Sequence, residues 1–220
     1  GYNKTCETLV LMGEVLRWYE KTRDSQRPFF LYVHTDETHA PFLPPPAYRR
    51  RFTRLSRAQM YAVNQDKQLF VSGQVRMTGE DFEHLRDLAR AEVAYFDAWL
   101  GKLLDRLERD GLLEDMVVVI AADHGDNFGE HGLLRHGLCL YDTLLHVPLI
   151  VKPPGSAVGG RVRPIVQLID VFPTLMAAAG IEEADAVAGF QGRDLVQQAR
   201  TGRHAEYVVS ELYRPGQGLW

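Results

Sequence analysis

Hydrophobic residues recur every three to four positions in two stretches of the chain, which is the period of an amphipathic helix. The pattern predicts helices over residues 7–22 and 79–109, each with one apolar face and one charged face. Thr78 and Asp81 have the spacing of a capping box at the start of the second helix.

Short continuous runs of β-branched and aromatic residues have the pattern of strands that are covered on both faces. They predict four strands, at residues 29–33, 116–120, 147–151 and 206–210. Because strands and helices alternate at these lengths, we expect an α/β fold with a mostly parallel sheet sandwiched between helices. The expected domain organisation is a single domain over residues 1–220.

Capping and breaking residues predict the remaining organisation. Asp170 suits the N-terminal cap of a third helix that runs to Ala179 and is stopped by Gly180. The four prolines of residues 35–48 favour extended backbone and argue against helix there. Residues 53–78 are ambiguous between helix and loop.

Composition and charge narrow the class of protein. The chain is 45% hydrophobic and 25% charged, which is typical of a soluble globular domain and inconsistent with disorder. A net charge of −4 provides no general field for nucleic acid or an anionic membrane. The longest apolar run, residues 116–122, is far shorter than the about 20 residues that span a bilayer. We therefore expect no nucleic-acid partner and no membrane segment.

Histidines and carboxylates are concentrated in two loops that follow predicted strands. Ligands of an open parallel sheet bind beyond the carboxyl ends of its strands, so chemistry is expected in these loops. They hold five of the eight histidines of the chain. The side chains concerned are His34, Asp36, Glu37, His39, Asp123, His124, Asp126, Glu130, His131 and His136.

The adjacent pair Asp123 and His124 is the candidate metal site within these loops. A carboxylate and an imidazole directly after a strand can bind one divalent cation if the backbone turns there, and Gly125 permits that turn. Such a pair also commonly just caps backbone groups, so both interpretations stay open. Glu130 and His131 fit equally well as supports of a metal site or as residues that hold the loop.

Four separated parts of the chain resemble the sulfatases of the alkaline-phosphatase superfamily and occur in the family's order. The resemblance covers nearly the whole chain. The first part, residues 30–41, resembles the segment whose last histidine reaches the sulfate ester. The third part, which begins at residue 122, resembles the metal-binding segment. The four parts are residues 30–41, residues 91–97 with 111–115, residues 122–133 with 135–137 and 140–151, and residues 167–175 with 179–181.

The resemblance implies roles for four residues. Asp123 and His124 would bind the metal, His39 would contact the transferring group or the leaving-group oxygen, and His136 would stand where many members have a lysine that steadies the sulfate charge. Many sulfatases bind calcium and place Asn where His124 stands. Imidazole suits calcium less well, so manganese or zinc is the other expected ion. The implied substrate is a small-molecule or saccharide sulfate ester.

The chain also departs from the sulfatase pattern. It contains no Cys/Ser-x-Pro-x-Arg motif, from which the family makes its formylglycine nucleophile. We therefore expect an incomplete alkaline-phosphatase/sulfatase-like fold that lacks the nucleophile segment and is inactive in isolation. Two alternatives stay open. One is a phosphodiesterase, phosphonate-ester hydrolase or phosphoryl transferase of the same superfamily, and the other is a non-catalytic binding domain.

Overall fold

The computed structural model describes residues 5–137, 139–156, 159–181, 189, 191–214 and 218–219. The chain forms two compact units. The first contains the chain up to Arg106 together with Phe128–Arg135, and the second contains Leu107–Asn127 and the chain from His136 onward. The single domain expected from the sequence stays a prediction.

Helices dominate the first unit. The helices predicted over residues 7–22 and 79–109 are confirmed, and the ambiguous stretch 53–78 contains two short helices. The expectation that residues 35–48 exclude helix is wrong at its end, because Pro46 lies in a first turn, where proline is tolerated. The helices are α1 (Thr5–Lys21), α2 (Pro46–Phe52), α3 (Arg57–Ala62), α4 (Lys67–Val71) and α5 (Gly79–Arg109).

The predicted capping box at the start of α5 is confirmed. The backbone N–H of Thr78 donates to Oδ2 of Asp81 at 2.7 Å, and the N–H of Asp81 donates to Oγ1 of Thr78 at 3.2 Å. The hydrogen bond from the Thr78 backbone, followed by that from its hydroxyl, lowers the pKa of the Asp81 carboxyl. The carboxylate is therefore ionised near neutral pH and satisfies a backbone donor at the helix start.

The core of the first unit lies under α5. Leu85 and Leu88 are 1% and 0% exposed. They belong to one cluster with residues of the loop before α2, of α3 and of the strand at 134–135. Its buried members are Ala40, Phe42, Met60, Val63, Leu85, Leu88 and Leu134.

The prediction of a strand at residues 29–33 is wrong. Phe30 and Tyr32 are 74% and 76% exposed, and none of the described strands pairs with this run. Extended backbone becomes a strand when a neighbour accepts and donates its hydrogen bonds. Phe29 packs edge-on against Trp18 of α1, with ring centroids 5.6 Å apart.

The second unit contains the strands predicted around residues 116–120 and 147–151, as β1 (Val118–Ala121) and β4 (Leu149–Lys152). They pair in antiparallel register, with Val119 opposite Val151. The expected parallel pairing is therefore wrong for these strands. A parallel pair needs a crossover connection, usually a helix, whereas the longest helix described within residues 122–148 has four residues.

The other described elements are short. Residues 206–210, predicted as a strand, form none, and the strands nearest to them are β5 and β6, which pair antiparallel. Among the described residues, no helix is both long and apolar enough to cross a bilayer. The remaining elements are β2 (Asn127–Phe128), β3 (Leu134–Arg135), α6 (Asp142–Leu145), α7 (Val171–Ala178), α8 (Leu195–Thr201), β5 (Tyr213–Arg214) and β6 (Gly218–Leu219).

The predicted third helix is confirmed as α7, and Asp170 occupies its N-cap position, but the Asp170 side chain makes no capping hydrogen bond to α7. The Asp170 carboxylate accepts from the backbone N–H of Gln167 at 2.9 Å and from that of Arg193 at 2.8 Å. Thr174 of α7 accepts from the N–H of Leu195 at 2.9 Å. The side chain of Asp170 thus caps the turn that precedes α7 and joins it to Arg193, 23 residues further along the chain.

Candidate metal centre

Two histidines and one carboxylate converge in the second unit. His124, Asp126 and His136 each offer one ligand atom, and these three atoms lie within 4.8 Å of one another. The ring centroids of His124 and His136 are 4.0 Å apart, and Nδ1 of His136 is 2.9 Å from Oδ1 of Asp126. Three nitrogen and oxygen donors at this spacing can bind one divalent ion.

A close contact between the backbone at Gly125 and the start of α6 carries this cluster. The N–H of Gly125 donates to the carbonyl oxygen of Leu144 at 2.9 Å, and a Cβ on residue 125 would lie 2.1 Å from the carbonyl oxygen of Thr143. Asn127 is 2% exposed, and its Oδ1 accepts from the Thr143 hydroxyl at 2.6 Å. The start of α6 therefore holds the loop that bears His124 and Asp126.

Hydrogen bonds orient both imidazoles. Nδ1 of His124 is 2.9 Å from the carbonyl oxygen of Gly125, which is an acceptor and so places the proton on Nδ1. Nδ1 of His136 faces the carboxylate of Asp126 in the same way. In the neutral rings the lone pair is then on Nε2, the nitrogen that can bind a metal.

Partial burial keeps the cluster accessible. The side chains of His124 and His136 are 35% and 28% exposed, whereas that of Asp126 is 11% exposed. An ion could thus reach the two imidazoles from solvent, while the carboxylate that orients His136 is shielded. Shielding strengthens that hydrogen bond, because water competes less for it.

Asp123, predicted as a metal ligand, does not belong to the converging trio. Its side chain is 78% exposed, its Oδ1 accepts from the N–H of His124 at 3.0 Å, and its Oδ2 is 3.8 Å from Nε2 of His124. The structure therefore contains the backbone-capping contact that the sequence left open. Binding of a metal by Asp123 and His124 stays a prediction.

Asp126 had no assigned role at the sequence level. Its signal was its position two residues after His124, because alternate residues of an extended segment lie on the same side. A histidine and a carboxylate at that spacing can therefore approach one ligand together.

His39 lies in the first unit, where the structure pairs it with Arg135. Nη2 of Arg135 is 3.1 Å from Nε2 of His39 and donates to the carbonyl oxygen of Ala40 at 3.4 Å. Arg135 was not singled out from the sequence. Its backbone φ of +64° is uncommon for a residue other than glycine, and no sequence pattern indicated it.

Glu130 is a residue that holds its loop. Its Oε1 accepts from Arg86 of α5 at 2.7 Å, and its Oε2 accepts from the N–H of Phe128 at 2.5 Å. Burial raises the pKa of the Glu130 carboxyl, but the hydrogen bonds from Arg86 and Phe128 outweigh burial, and the net pKa is lowered. This arrangement favours the loop-holding role over support of a metal site.

The fold and this cluster define an α/β protein of the alkaline-phosphatase/sulfatase type, as the sequence predicted. The crystal structure of a phosphonate monoester hydrolase from Agrobacterium radiobacter superposes with a TM-score of 0.68 at 23% identity, over 96% of this chain and 45% of that one. At this identity the likeness shows a shared fold.

The chain belongs to the sulfatase family, whose profile, described as Sulfatase, matches residues 1–181. It is 30% identical over 140 residues to human arylsulfatase K, covering 64% of this chain and 25% of that protein. It is 27% identical over 211 residues to an arylsulfatase of Clostridium perfringens, covering 87% of this chain and 42% of that protein. The chain thus spans between a quarter and about two fifths of the length of these relatives.

Proposed function

We propose that this protein is a sulfatase-like, metal-dependent hydrolase that cleaves a small-molecule or saccharide sulfate ester. The observation that carries the proposal is the convergence of His124, Asp126 and His136 in a chain of the sulfatase family. Cleavage of a sulfate ester redistributes negative charge onto the departing oxygen. A bound divalent ion would supply positive charge against that change.

The ion is proposed to be zinc or manganese rather than calcium. Calcium prefers six to eight oxygen ligands, whereas imidazoles suit transition ions. His124 is the central ligand of the proposal, and Asp123 joins it, because Oδ2 of Asp123 lies 3.8 Å from Nε2 of His124. Two atoms at that separation can each lie about 2.1 Å from one zinc ion.

His136 and His39 are proposed to act on the ester. Asp126 accepts a hydrogen bond from Nδ1 of His136, which fixes the orientation of the ring. We assign His136 the contact with sulfate charge that the family resemblance implies. His39 is assigned the contact with the transferring group or the leaving-group oxygen. Both histidines would steady an anion rather than attack it.

The nucleophile is proposed to lie outside these 220 residues, since their sequence contains no Cys/Ser-x-Pro-x-Arg motif. The isolated chain is therefore expected to show little or no turnover. Experiments on function need the intact protein from which the chain comes.

A phosphonate or phosphate ester is the second candidate substrate. Two observations favour it: His124 stands where many sulfatases have Asn, and the fold superposes on a phosphonate monoester hydrolase. The two candidates share the metal centre and differ in the ester that is cleaved. A non-catalytic binding domain is the remaining alternative.

The test measures metal content and ester hydrolysis in the intact protein. Elemental analysis gives the ion and its stoichiometry, and 4-nitrophenyl sulfate is compared with 4-nitrophenyl phenylphosphonate as substrate. The variants Asp123→Ala and His124→Ala are expected to lose metal and activity together. Asp115→Ala and His204→Ala are the matched controls, because both residues are exposed.

The rates of cleavage of the two esters and the metal content of the variants distinguish the candidate functions. Faster cleavage of the sulfate ester supports the sulfatase proposal, and faster cleavage of the phosphonate ester supports the second candidate. Full metal content and full activity in His124→Ala would refute the proposed centre. Bound metal without hydrolysis of either ester by the intact protein would favour the binding domain.

A further inference from the structure

Three side chains of the first unit hold the backbone that follows His39. We call residues 39–43 the His39 segment. Arg135 donates to the carbonyl oxygen of Ala40 at 3.4 Å. Gln65 accepts from the N–H of Phe42 at 2.6 Å and donates to its carbonyl oxygen at 3.2 Å. The segment is therefore held along its length and not at one point.

The third side chain is a buried carboxyl group. Oε1 of Glu92, on α5, accepts from the N–H of Leu43 at 2.6 Å, and Glu92 is 1% exposed. A hydrogen bond in a shielded setting is strong, because water does not compete for it. Glu92 thus fixes the end of the His39 segment, and Phe42, 2% exposed, anchors its middle in the core.

The contact between Arg135 and His39 determines where the imidazole proton lies. A guanidinium can donate hydrogen bonds and cannot accept them. Because Nη2 of Arg135 is 3.1 Å from Nε2 of His39, Nε2 is the acceptor in this hydrogen bond. A neutral imidazole that accepts at Nε2 carries its proton on Nδ1.

We propose that Arg135 is a positioning residue for His39, which it holds as the neutral imidazole with the proton on Nδ1. The inference rests on the proposed function where it concerns the ester, because there His39 contacts the substrate. Arg135 joins the imidazole to the Ala40 carbonyl through one nitrogen, so ring and backbone are held together. Under the proposal His39 offers the ester a hydrogen bond from Nδ1–H, and Nε2 carries no proton to transfer.

The tautomer is measured directly in the intact protein. Protein labelled with ¹⁵N at histidine gives two-bond ¹H–¹⁵N spectra that distinguish Nδ1–H, Nε2–H and doubly protonated rings. His39→Gln assigns the signal by its loss. We expect the Nδ1–H form in the unaltered protein near neutral pH. The Nε2–H or the doubly protonated form would overturn the proposal.

Arg135→Gln tests whether Arg135 is the cause. We expect mixed tautomers at His39 and a fall in kcat/KM for the aryl sulfate of about 10- to 100-fold, the size of loss expected from misplacing a substrate contact. Arg90→Gln is the matched control, because Arg90 is exposed and pairs with Asp87 on α5. An unchanged His39 spectrum in folded Arg135→Gln would overturn the proposal.

The outcomes separate this inference from the proposed function. An intact protein without esterase activity but with the Nδ1–H tautomer refutes the proposed function and supports the role of Arg135. An active enzyme with His39 in the Nε2–H form supports the proposed function and refutes the role of Arg135. If Arg135→Gln fails to fold, the spectrum of the unaltered protein still tests the predicted tautomer, and an Nε2–H or doubly protonated ring still overturns the proposal.

Discussion

Gly125 and Thr143 approach each other so closely that a Cβ atom on residue 125 would lie 2.1 Å from the Thr143 carbonyl oxygen. Real Cβ atoms do not approach a backbone oxygen to this distance, so an added methyl group must displace the loop or α6. The glycine lies between Asp123–His124 and Asp126. The geometry of the candidate metal centre thus depends on a glycine, which has no side chain that could bind the metal.

Gly125→Ala is expected to destabilise the protein by about 1–3 kcal/mol, because overpacking forces the backbone to shift. It is also expected to lower the bound metal measured by elemental analysis. Gly101→Ala is the matched control, since Gly101 is helical and an added Cβ meets nothing within 4 Å. That control should gain about 0.5–1 kcal/mol from helix propensity. Equal effects of the two substitutions would contradict the role of Gly125.

The hydrogen bond between Asn127 and Thr143 is expected to contribute to stability. Asn127→Ala removes a buried side chain and leaves the half-buried Thr143 hydroxyl without its acceptor, at a cost of about 1–3 kcal/mol. Urea unfolding of Asn127→Ala, Thr143→Val and the double variant gives a coupling energy. We expect the double variant to lose less than the sum of the single losses, because both remove one hydrogen bond. Simple additivity would show that the two side chains do not interact.

Asp126→Asn tests the carboxylate beside His136. Asp126 offers a carboxylate oxygen within 4.8 Å of a ring nitrogen of His124, so loss of its negative charge beside the proposed ion is expected to lower metal affinity about 10- to 100-fold. Affinity is measured by competition with a chelator in the intact protein. Asp115→Asn, at an exposed position, should bind metal as the unaltered protein does. An unchanged affinity in Asp126→Asn would remove Asp126 from the centre.

Glu130 and Arg86 are expected to make stability depend on pH. Because the pKa of Glu130 is lowered in the folded protein, its contribution is fully present above the unfolded pKa, about 4.3, and is lost as the pH falls through the lower folded value. The Tm difference between the unaltered protein and Glu130→Gln should therefore be constant near neutral pH and shrink below about pH 4. Glu114→Gln, exposed, provides the control. A difference that grows on acidification would contradict the assignment.

Leu88 is expected to be among the costly core positions. It is 0% exposed on α5, and truncation of a fully buried leucine leaves a cavity, so Leu88→Ala should cost about 2–5 kcal/mol in urea unfolding. Val93→Ala on the same helix is the comparison, because Val93 is 52% exposed. Similar losses at the two positions would show that the core does not lie on this face of α5.

Helix prediction succeeded where the signal was local. The three-to-four spacing and the Thr78–Asp81 cap predicted α5, because both depend on residues within one or two turns of each other. Strand prediction failed at residues 29–33 and gave the wrong direction for β1 and β4, since pairing depends on residues far away in the chain. A run of apolar residues indicates that a segment can form a strand, but it does not indicate which strand it pairs with.

The candidate site was likewise predicted where its signal was local and missed where it depended on distant residues. The loop after β1 was predicted from its clustered histidines, and the structure brings His124 and His136 of that loop together. Arg135 escaped notice because its contact with His39 joins residues 96 positions apart and depends on a left-handed backbone conformation. Tertiary contacts of this kind have no short-range signature.

The Asp170 carboxylate links the start of α7 to the segment that leads into α8. It bonds the backbone at Gln167 and Arg193, and the hydroxyl of Thr174 adds a bond to Leu195. The start of α7 is therefore tied by two separate side chains to the backbone where α8 begins, although the residues that these two links join lie 23 and 21 positions apart in the chain.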